Sequence, residues 1–574
     1  MIRLTIDGKE VFVNEGATLL DAARKLNIRI PTLCYHPDQE VKANCRICMV
    51  EVEGRPGLVP ACAFPAREGL KVKTSSSRVR QARWNILELI FAHHSKDCLQ
   101  CSRNGSCELQ TIAQEMHFDR DLRYEQATRG SGKDLSSPSI VIDPSKCIAC
   151  NRCIYACSEV QTVHALGRGK RGFDTVIGPS YGRSLVDTPC VGCGQCVQAC
   201  PVGALSVRDD RQLVWKMLDD DEKMIVCQVA PAVRITIAEA LGEDPGVVST
   251  GRLVTALKRL GFDRVFDTDF TADLTIMEEG TELIDRLTNG GTLPMITSCS
   301  PGWIKFCETY YPDLLPHLST CKSPQGMFGA LIKEYFAPRL CKTPQDVISV
   351  SVMPCTAKKF ERSRTELGRN GYQDVDAVLT VQELARMIDQ AGIDFKALPE
   401  SNFDAPFGLG SGAGEIFGAT GGVMEAALRS VYEIVTGEEL ADIEFKDVRG
   451  FEGIKEAMVQ VGSIPVKVAV AHGLGNARKL MDQIRAGKAD YHFIEIMACP
   501  GGCIGGGGNP IKNWAKMEHR VKAVYDTERG LPLRKSHLNP AVKRLYDEYL
   551  GQPGGHLSHE LLHTHYTDRS DLLK

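Results

Sequence analysis

The sequence predicts a multi-domain protein in which small cysteine-rich α+β modules precede one large α/β domain. Three observations predict it. At 574 residues the chain exceeds what a single hydrophobic core supports. Fifteen of its 23 cysteines fall before residue 201 at short, regular spacings, and the other eight are scattered over the rest. Beyond residue 210, apolar β-rich runs such as Met224 to Val229, Val347 to Val352 and Val466 to Ala471 alternate with stretches of helical period. That pattern belongs to a mainly parallel sheet flanked by helices.

A hydrophobic content of 43%, a charged content of 24% and a net charge of -4 are those of an ordinary globular protein with no basic excess. Nucleic acid is therefore not an expected partner. No segment approaches about 18 uninterrupted apolar residues, so no membrane span is expected. The opening MIRLTIDGKEVFV alternates Ile2, Leu4 and Ile6 before an Asp7-Gly8 turn, which predicts a hairpin and lacks the apolar stretch of a secretion signal. A cytoplasmic location follows as the expectation, and there cysteines serve metal or redox chemistry rather than disulfides.

Residues 1–79 read as a β-grasp module, with the hairpin followed by a helix near Thr18 to Leu26. Cys34, Cys45, Cys48 and Cys62 supply the four thiolates of a [2Fe–2S] cluster. Their first gap is longer than the plant-type spacing, and a zinc site is the plainer alternative for two thiols three positions apart. Residues 80–125 carry HHSKDCLQCSRNGSC, where Cys98, Cys101 and Cys107 leave one ligand position of a [4Fe–4S] cluster open. His94 is the candidate for it, with His93 competing. Residues 126–210 hold Cys147, Cys150, Cys153 and Cys157, then Cys190, Cys193, Cys196 and Cys200 followed by Pro201. This is the two-cluster ferredoxin run written twice, in which the fourth cysteine serves the other cluster. Cys200 should join Cys147, Cys150 and Cys153, and Cys157 should join Cys190, Cys193 and Cys196.

Such a chain of clusters conducts electrons and needs a terminal, which residues 211–574 must hold. Three loops there carry residues that packing does not explain: Thr297 to Trp303 (TSCSPGW), Met353 to Glu361 (MPCTAKKFE) and Glu495 to Pro510 (EIMACPGGCIGGGGNP). Loops beyond the carboxyl ends of strands are where ligands collect in open α/β sheets. The glycines at 501–508 allow close backbone approach, or else form a flexible linker. No Gly-Lys-Ser/Thr follows them, so they are not a P-loop.

With these loops the chain resembles the [FeFe]-hydrogenases of clostridial type, whose signatures are TSCCPxW, MPCxxKxxE and ExMACxxGCxxGGGxP. Ser300 is the one departure inside a motif. The resemblance implies a large α/β H-cluster domain, the H-cluster being a [4Fe–4S] cubane joined through a cysteine sulfur to a two-iron unit with CO, cyanide and a dithiolate bridge. Cys503 matches the bridging ligand, Cys355 and Cys499 match further cubane ligands, and the fourth cubane cysteine is replaced by Ser300. Lys358 is suited to donate to a cyanide, with Met353 and Met497 packing softly around the group. Pro231, Gln325 and Phe417 match other pocket positions, while Ala232 stands where the clostridial type has a serine donor.

Hydrogen splits heterolytically in that family, so protons need a path as well as electrons. The family's relay matches Cys299, Glu279, Ser319, Glu282 and Arg286, and Glu279, Glu282 and Arg286 share one helix face by spacing. Without the resemblance, such a face reads as solvated. Cys227, Cys307, Cys321 and Cys341 are expected to be buried free thiols. His556, His559, His563 and His565 are expected at a solvated helix end.

The expected activity is reversible interconversion of hydrogen with protons and electrons, fed through four accessory clusters. A non-catalytic electron-transfer or hydrogenase-like assembly protein, favoured by Ser300, and a hydrogen sensor are the competing readings. No GxGxxG fingerprint follows a strand, so the electron partner should be another protein. Ferredoxin, or the flavoprotein and [2Fe–2S] subunits of an NAD-linked complex, would serve.

Overall fold

A computed structural model describes the chain except residues 119–122, 125, 126, 128, 131 and 463. The expected boundary between the second and third modules, at 125 and 126, lies outside the described residues. The chain divides into two compact units, Met1–Glu159 with His164–Leu185 and Ala199–Ser206, and Val160–Val163 with Val186–Gln198 and Val207–Lys574.

The first unit opens with the expected hairpin, Ile2–Ile6 antiparallel to Lys9–Val13, turned by Asp7 and Gly8 in left-handed conformations. The helix Leu19–Lys25 starts on a capping box: Thr18 Oγ1 accepts from Asp21 N (3.2 Å) while Asp21 Oδ2 accepts from Thr18 N (2.9 Å). Strand Lys71–Lys73 lies parallel to Ile2–Ile6, and Met49–Val52 joins it antiparallel and pairs with Val59–Pro60. Alternate residues Leu4, Ile6, Val11, Val13, Val50 and Val72 are buried against Leu19 and Leu20. The period-two pattern thus packs one sheet face on the helix.

The second unit contains two four-stranded sheets where one was expected. The first runs Arg264–Asp267, Met224–Val229, Val347–Met353, Ala377–Thr380, all parallel. The second runs Met295–Ile296, Phe493–Met497, Ile464–His472, Ile454–Val461, parallel except for its last pair. Ile454–Val461 and Ile464–His472 are separated by two residues in sequence, and so short a link permits only antiparallel pairing. The parallel strands are buried on both faces, which explains their unbroken apolar runs.

The carboxyl ends of strands from both sheets lead into the loops singled out above: Val229 into Pro231, Ile296 into Cys299, Met353 into Cys355 and Met497 into Cys499. Behind Cys299 lies the 22-residue helix Thr268–Asn289, capped by Asp267 and ended by Gly290. Among the described residues no helix is long and apolar enough to cross a membrane.

Candidate active site and cluster sites

In the first unit the four cysteines of the β-sheet module converge. Cys48 and Cys62 sulfurs are 3.4 Å apart, and Asn44 N and Cys45 N donate to Cys34 Sγ at 3.3 and 3.4 Å. In each contacting pair one thiol is drawn down and the other pushed up: Cys34 against Cys45, and Cys48 against Cys62. Each pair thus offers one thiol that ionises readily, and a metal would displace the proton of the other. Cys147, Cys150, Cys153 and Cys200 also share one electrostatic neighbourhood: burial first, and Cys200 as a further cause, raise each of the other three. Left-handed Ala149 and Asn151 bend this loop, and Ala149 N donates to Cys147 Sγ at 3.4 Å. His94 is buried, whereas His93 is half-buried with its Nδ1 2.7 Å from Ala127 O.

Cys190, Cys193 and Cys196 belong to the second unit, and their loop abuts the glycine run. Thr356 Oγ1 donates to Gly192 O at 2.6 Å, and Gln195 and Gln198 donate to Gly505 O and Asn509 O at 3.2 and 2.8 Å. A Cβ on Gly194 would stand 2.6 Å from Thr356 Oγ1 and 2.9 Å from Gly507 Cα. The second cysteine run therefore has glycine where the first has Asn151: backbone meets backbone there. The glycine run serves close approach rather than flexible linkage, since a Cβ on Gly506 would lie 2.3 Å from Pro354 O.

The three loops enclose a cavity of about 80 Å³. Its walls include Cys299, Ser300, Cys355, Cys499 and Cys503, together with Pro231, Ala232, Gln325, Met353, Lys358, Phe417 and Met497. Every pocket residue expected from the sequence thus faces one space. Cys355 and Cys499 are in contact, which with burial raises Cys355 well above its ordinary value, while burial lifts Cys503 to about 12. Buried thiols with no base beside them ionise only when a metal takes them. The thiols, the apolar walls, the single cation and the unpartnered buried Gln325 Oε1 fit a metal–sulfur group carrying small polar ligands. Ser300 Oγ accepts from Ala498 N at 3.2 Å, which sets its hydroxyl beside the Cys499 loop.

Lys358 is held from behind. Its Nζ donates to Ser323 Oγ (2.7 Å), Glu361 Oε2 (2.9 Å) and Cys299 O (3.3 Å), and Gln325 Nε2 donates to the same Glu361 oxygen at 2.8 Å. Glu361 closes the second motif, MPCTAKKFE, and has no role assignable from the sequence alone. The i, i+3 spacing from Lys358 was the available signal.

Cys299 is pushed well above its ordinary value by burial and then by Glu279, so it stays a thiol. Burial first and Glu282 second lift Glu279 to about 8. Neither Glu279 oxygen has a well-aligned partner, although the Ser319 side chain and the Ser298 backbone are near enough to draw its pKa down. Onward the links are close: Ser319 Oγ donates to Glu282 Oε2 at 2.8 Å, and Arg286 Nη2 to Glu282 Oε1 at 2.6 Å. The helix face of Glu279, Glu282 and Arg286 is buried to half-buried, and Cys299 and Ser319 approach it from neighbouring loops.

Two expectations are corrected. Cys341 is exposed, on a turn with φ 55° beyond a helix end, whereas Cys227, Cys307 and Cys321 are buried. His563 is not solvated: it is buried with Nε2 3.1 Å from Glu278 Oε2, while His556, His559 and His565 are exposed. A carboxylate 285 positions away supplies the partner, which local sequence does not reveal.

Family models match five segments. Residues 223–507 match the C-terminal domain of the iron-only hydrogenase large subunit and 515–569 the iron hydrogenase small subunit. Residues 1–77 match a 2Fe–2S cluster-binding domain, 83–121 the iron–sulfur binding region of NADH-ubiquinone oxidoreductase G, and 146–204 a 4Fe–4S dicluster domain. The chain is 48% identical to the NADP-reducing hydrogenase subunit HndD of Solidesulfovibrio fructosivorans, over 100% of both chains. It is 41% identical to iron hydrogenase 1 of Clostridium pasteurianum, over 99% of this chain and 100% of that one. The structure of the apo [FeFe]-hydrogenase HydA1 from Chlamydomonas reinhardtii aligns with a TM-score of 0.58 at 45% identity, covering 63% of this chain and 99% of that one.

Proposed function

The chain belongs to the iron-only, or [FeFe], hydrogenase family, and on that premise we propose how its residues carry the reaction. It is an enzyme that interconverts hydrogen with protons and electrons, with iron–sulfur domains as its electron relay. The observation that carries the residue assignment is the cavity in which Cys355, Cys499 and Cys503 meet Lys358 and the protonated Cys299.

When bound, the H-cluster supplies the heterolytic cleavage of hydrogen. Cys355, Cys499 and Cys503 would hold it, with Ser300 beside them in place of a fourth thiol. Lys358, fixed by Glu361 and Ser323, would donate to a polar ligand of the group, and Pro231, Ala232, Gln325, Met353, Phe417 and Met497 would enclose the rest and exclude water. Cys299 holds a proton at its sulfur, Glu279 exchanges it, and Ser319 and Glu282 pass it to the partly exposed end of the path beside Arg286. A buried carboxyl with a pKa near 8 is suited to both directions.

Electrons reach the cavity through the loop of Cys190, Cys193 and Cys196, which abuts the glycine run. We assign one [2Fe–2S] cluster to a β-grasp module at 1–79, with Cys34, Cys45, Cys48 and Cys62. A [4Fe–4S] cluster belongs to 80–125, with His94, Cys98, Cys101 and Cys107. Two more belong to 126–210, on Cys147, Cys150, Cys153 and Cys200 and on Cys157, Cys190, Cys193 and Cys196. The catalytic domain spans 211–574, and the location is cytoplasmic. The electron partner is a flavoprotein or small [2Fe–2S] subunit of a nicotinamide-linked complex, a reading supported by the name of the relative matched along its full length; ferredoxin is the alternative. Polypeptides copurifying under anaerobic conditions decide between them.

The relay is tested by Glu282→Gln, which keeps size but removes the transferable proton. Hydrogen turnover should fall about 10²- to 10⁴-fold while the infrared CO and cyanide bands persist. Unchanged turnover would move the proton path elsewhere.

A further inference from the structure

Glu282 is also one corner of a side-chain cluster whose other two members, Cys321 and His563, hydrogen turnover does not use. Cys321 Sγ lies 3.9 Å from Glu282 Oε2 and 4.0 Å from His563 Nδ1, and the three donor atoms all fall within 4.8 Å of one another. Two distant segments build this corner. Cys321 and His563 face each other across an antiparallel bridge, with Lys322 N donating to Leu562 O and Thr564 N to Thr320 O, both at 2.7 Å.

The imidazole is oriented for ligation. Its Nε2 is 3.1 Å from Glu278 Oε2, and Glu278 is itself fixed by Gly554 N at 2.8 Å and by the Tyr546 and Ser558 hydroxyls. A carboxylate behind Nε2 keeps the proton there and turns the Nδ1 lone pair toward the Thr320 hydroxyl, 2.7 Å away, and Cys321; the hydroxyl rotates aside, its bond to Nδ1 replaced, when an ion takes the nitrogen. Metal-ligating histidines are arranged in this way.

We propose that Glu282, Cys321 and His563 form a site for a thiophilic divalent cation such as zinc, and that filling it stops proton flow. One sulfur, one imidazole nitrogen and one carboxylate oxygen are a donor set zinc accepts, with water completing the tetrahedron. Tetrahedral zinc separates sulfur from nitrogen ligands by about 3.6 Å, so the 4.0 Å between Cys321 and His563 needs only a small closure. The thiol proton leaves to solvent as the ion binds. The ion's two charges then balance the net two negative charges of Glu278, Glu282, the Cys321 thiolate and Arg286. Cys321 and His563 are buried while the Glu282 side chain keeps 15% exposure, so the ion enters past Glu282. The oxygen it takes, Oε2, is the one that accepts from Ser319, and the relay is cut at that link.

The inhibitory half rests on the relay assignment above; the binding half does not. Iron-replete, matured enzyme is dialysed to equilibrium against zinc chloride in chelator-free buffer, and hydrogen turnover is measured on the same samples. One zinc per chain should bind and turnover should fall with that occupancy, with recovery on adding EDTA. Cys321→Ala and His563→Gln should each weaken zinc binding at least about tenfold and shift inhibition equally, with zinc-free turnover retained. If both variants bind zinc as the parent does, the ion sits elsewhere and the proposal falls. Full occupancy without inhibition overturns the blocking half. If Glu282→Gln also leaves turnover intact, the relay assignment is what failed.

Discussion

In Glu279→Gln the carboxyl between Cys299 and Ser319 becomes an amide of equal size. Burial, then Glu282, holds the carboxyl at about 8 against an ordinary 4.5, so at neutral pH it is mostly protonated and can donate toward Cys299. The native state thus binds a proton that the unfolded chain has already lost between about pH 4.5 and 8. Stability from this group declines as pH rises through that window, and the burial penalty is largest above 8. Between pH 6 and 9 the loss is about 3 kcal/mol. Glutamine has nothing to titrate there, so that part of the slope disappears. Turnover moves the other way: removing a proton carrier costs about 10²- to 10⁴-fold, or about 3–5 kcal/mol on the barrier. Hydrogen turnover and melting temperature are measured for both proteins at pH 6 and pH 9. Turnover should collapse at both, while the variant melts above the parent by a margin that is larger at pH 9 than at pH 6. Wild-type turnover, or turnover lost only in step with melting temperature, would refute the relay role of Glu279.

Ser300→Cys should hold or raise turnover while shifting the cubane's EPR signature and reduction potential through the changed ligand; an unaltered spectrum would make Cys299 the leading candidate for the fourth position. Glu361→Gln removes the charged partner of a buried lysine, a loss on the scale of about 3–5 kcal/mol when such pairs are broken. The infrared CO and cyanide bands should weaken on gel filtration while accessory-cluster EPR signals stay intact. Full retention of the bands would reduce Glu361 to a packing role.

The sequence showed the metal chemistry more fully than the architecture. Cysteine spacing carries ligand geometry directly, which is why Cys34, Cys45, Cys48 and Cys62 lie close together and Cys147, Cys150, Cys153 and Cys200 share one neighbourhood, while the clusters they would hold are proposals. The three loops likewise meet in one cavity because each follows a strand whose apolar run was readable. Partnerships between distant segments were not readable. Two sheets replace the expected one because strand order is set by long-range packing, which a local period does not encode. His563 is buried because Glu278 awaits it, and Lys358 is positioned because Glu361 also gathers Ser323 and Gln325. Each of these needs the chain folded before the pairing exists.

The most direct measurement compares the matured protein with Cys503→Ser for hydrogen evolution from a reduced dye and for infrared bands of CO and cyanide. The parent should evolve hydrogen and show the bands, and the variant should lose both while its accessory-cluster EPR signals survive. Hydrogen evolution unaffected in Cys503→Ser, or a fully matured parent with neither bands nor turnover, would contradict a hydrogen-activating centre in this cavity.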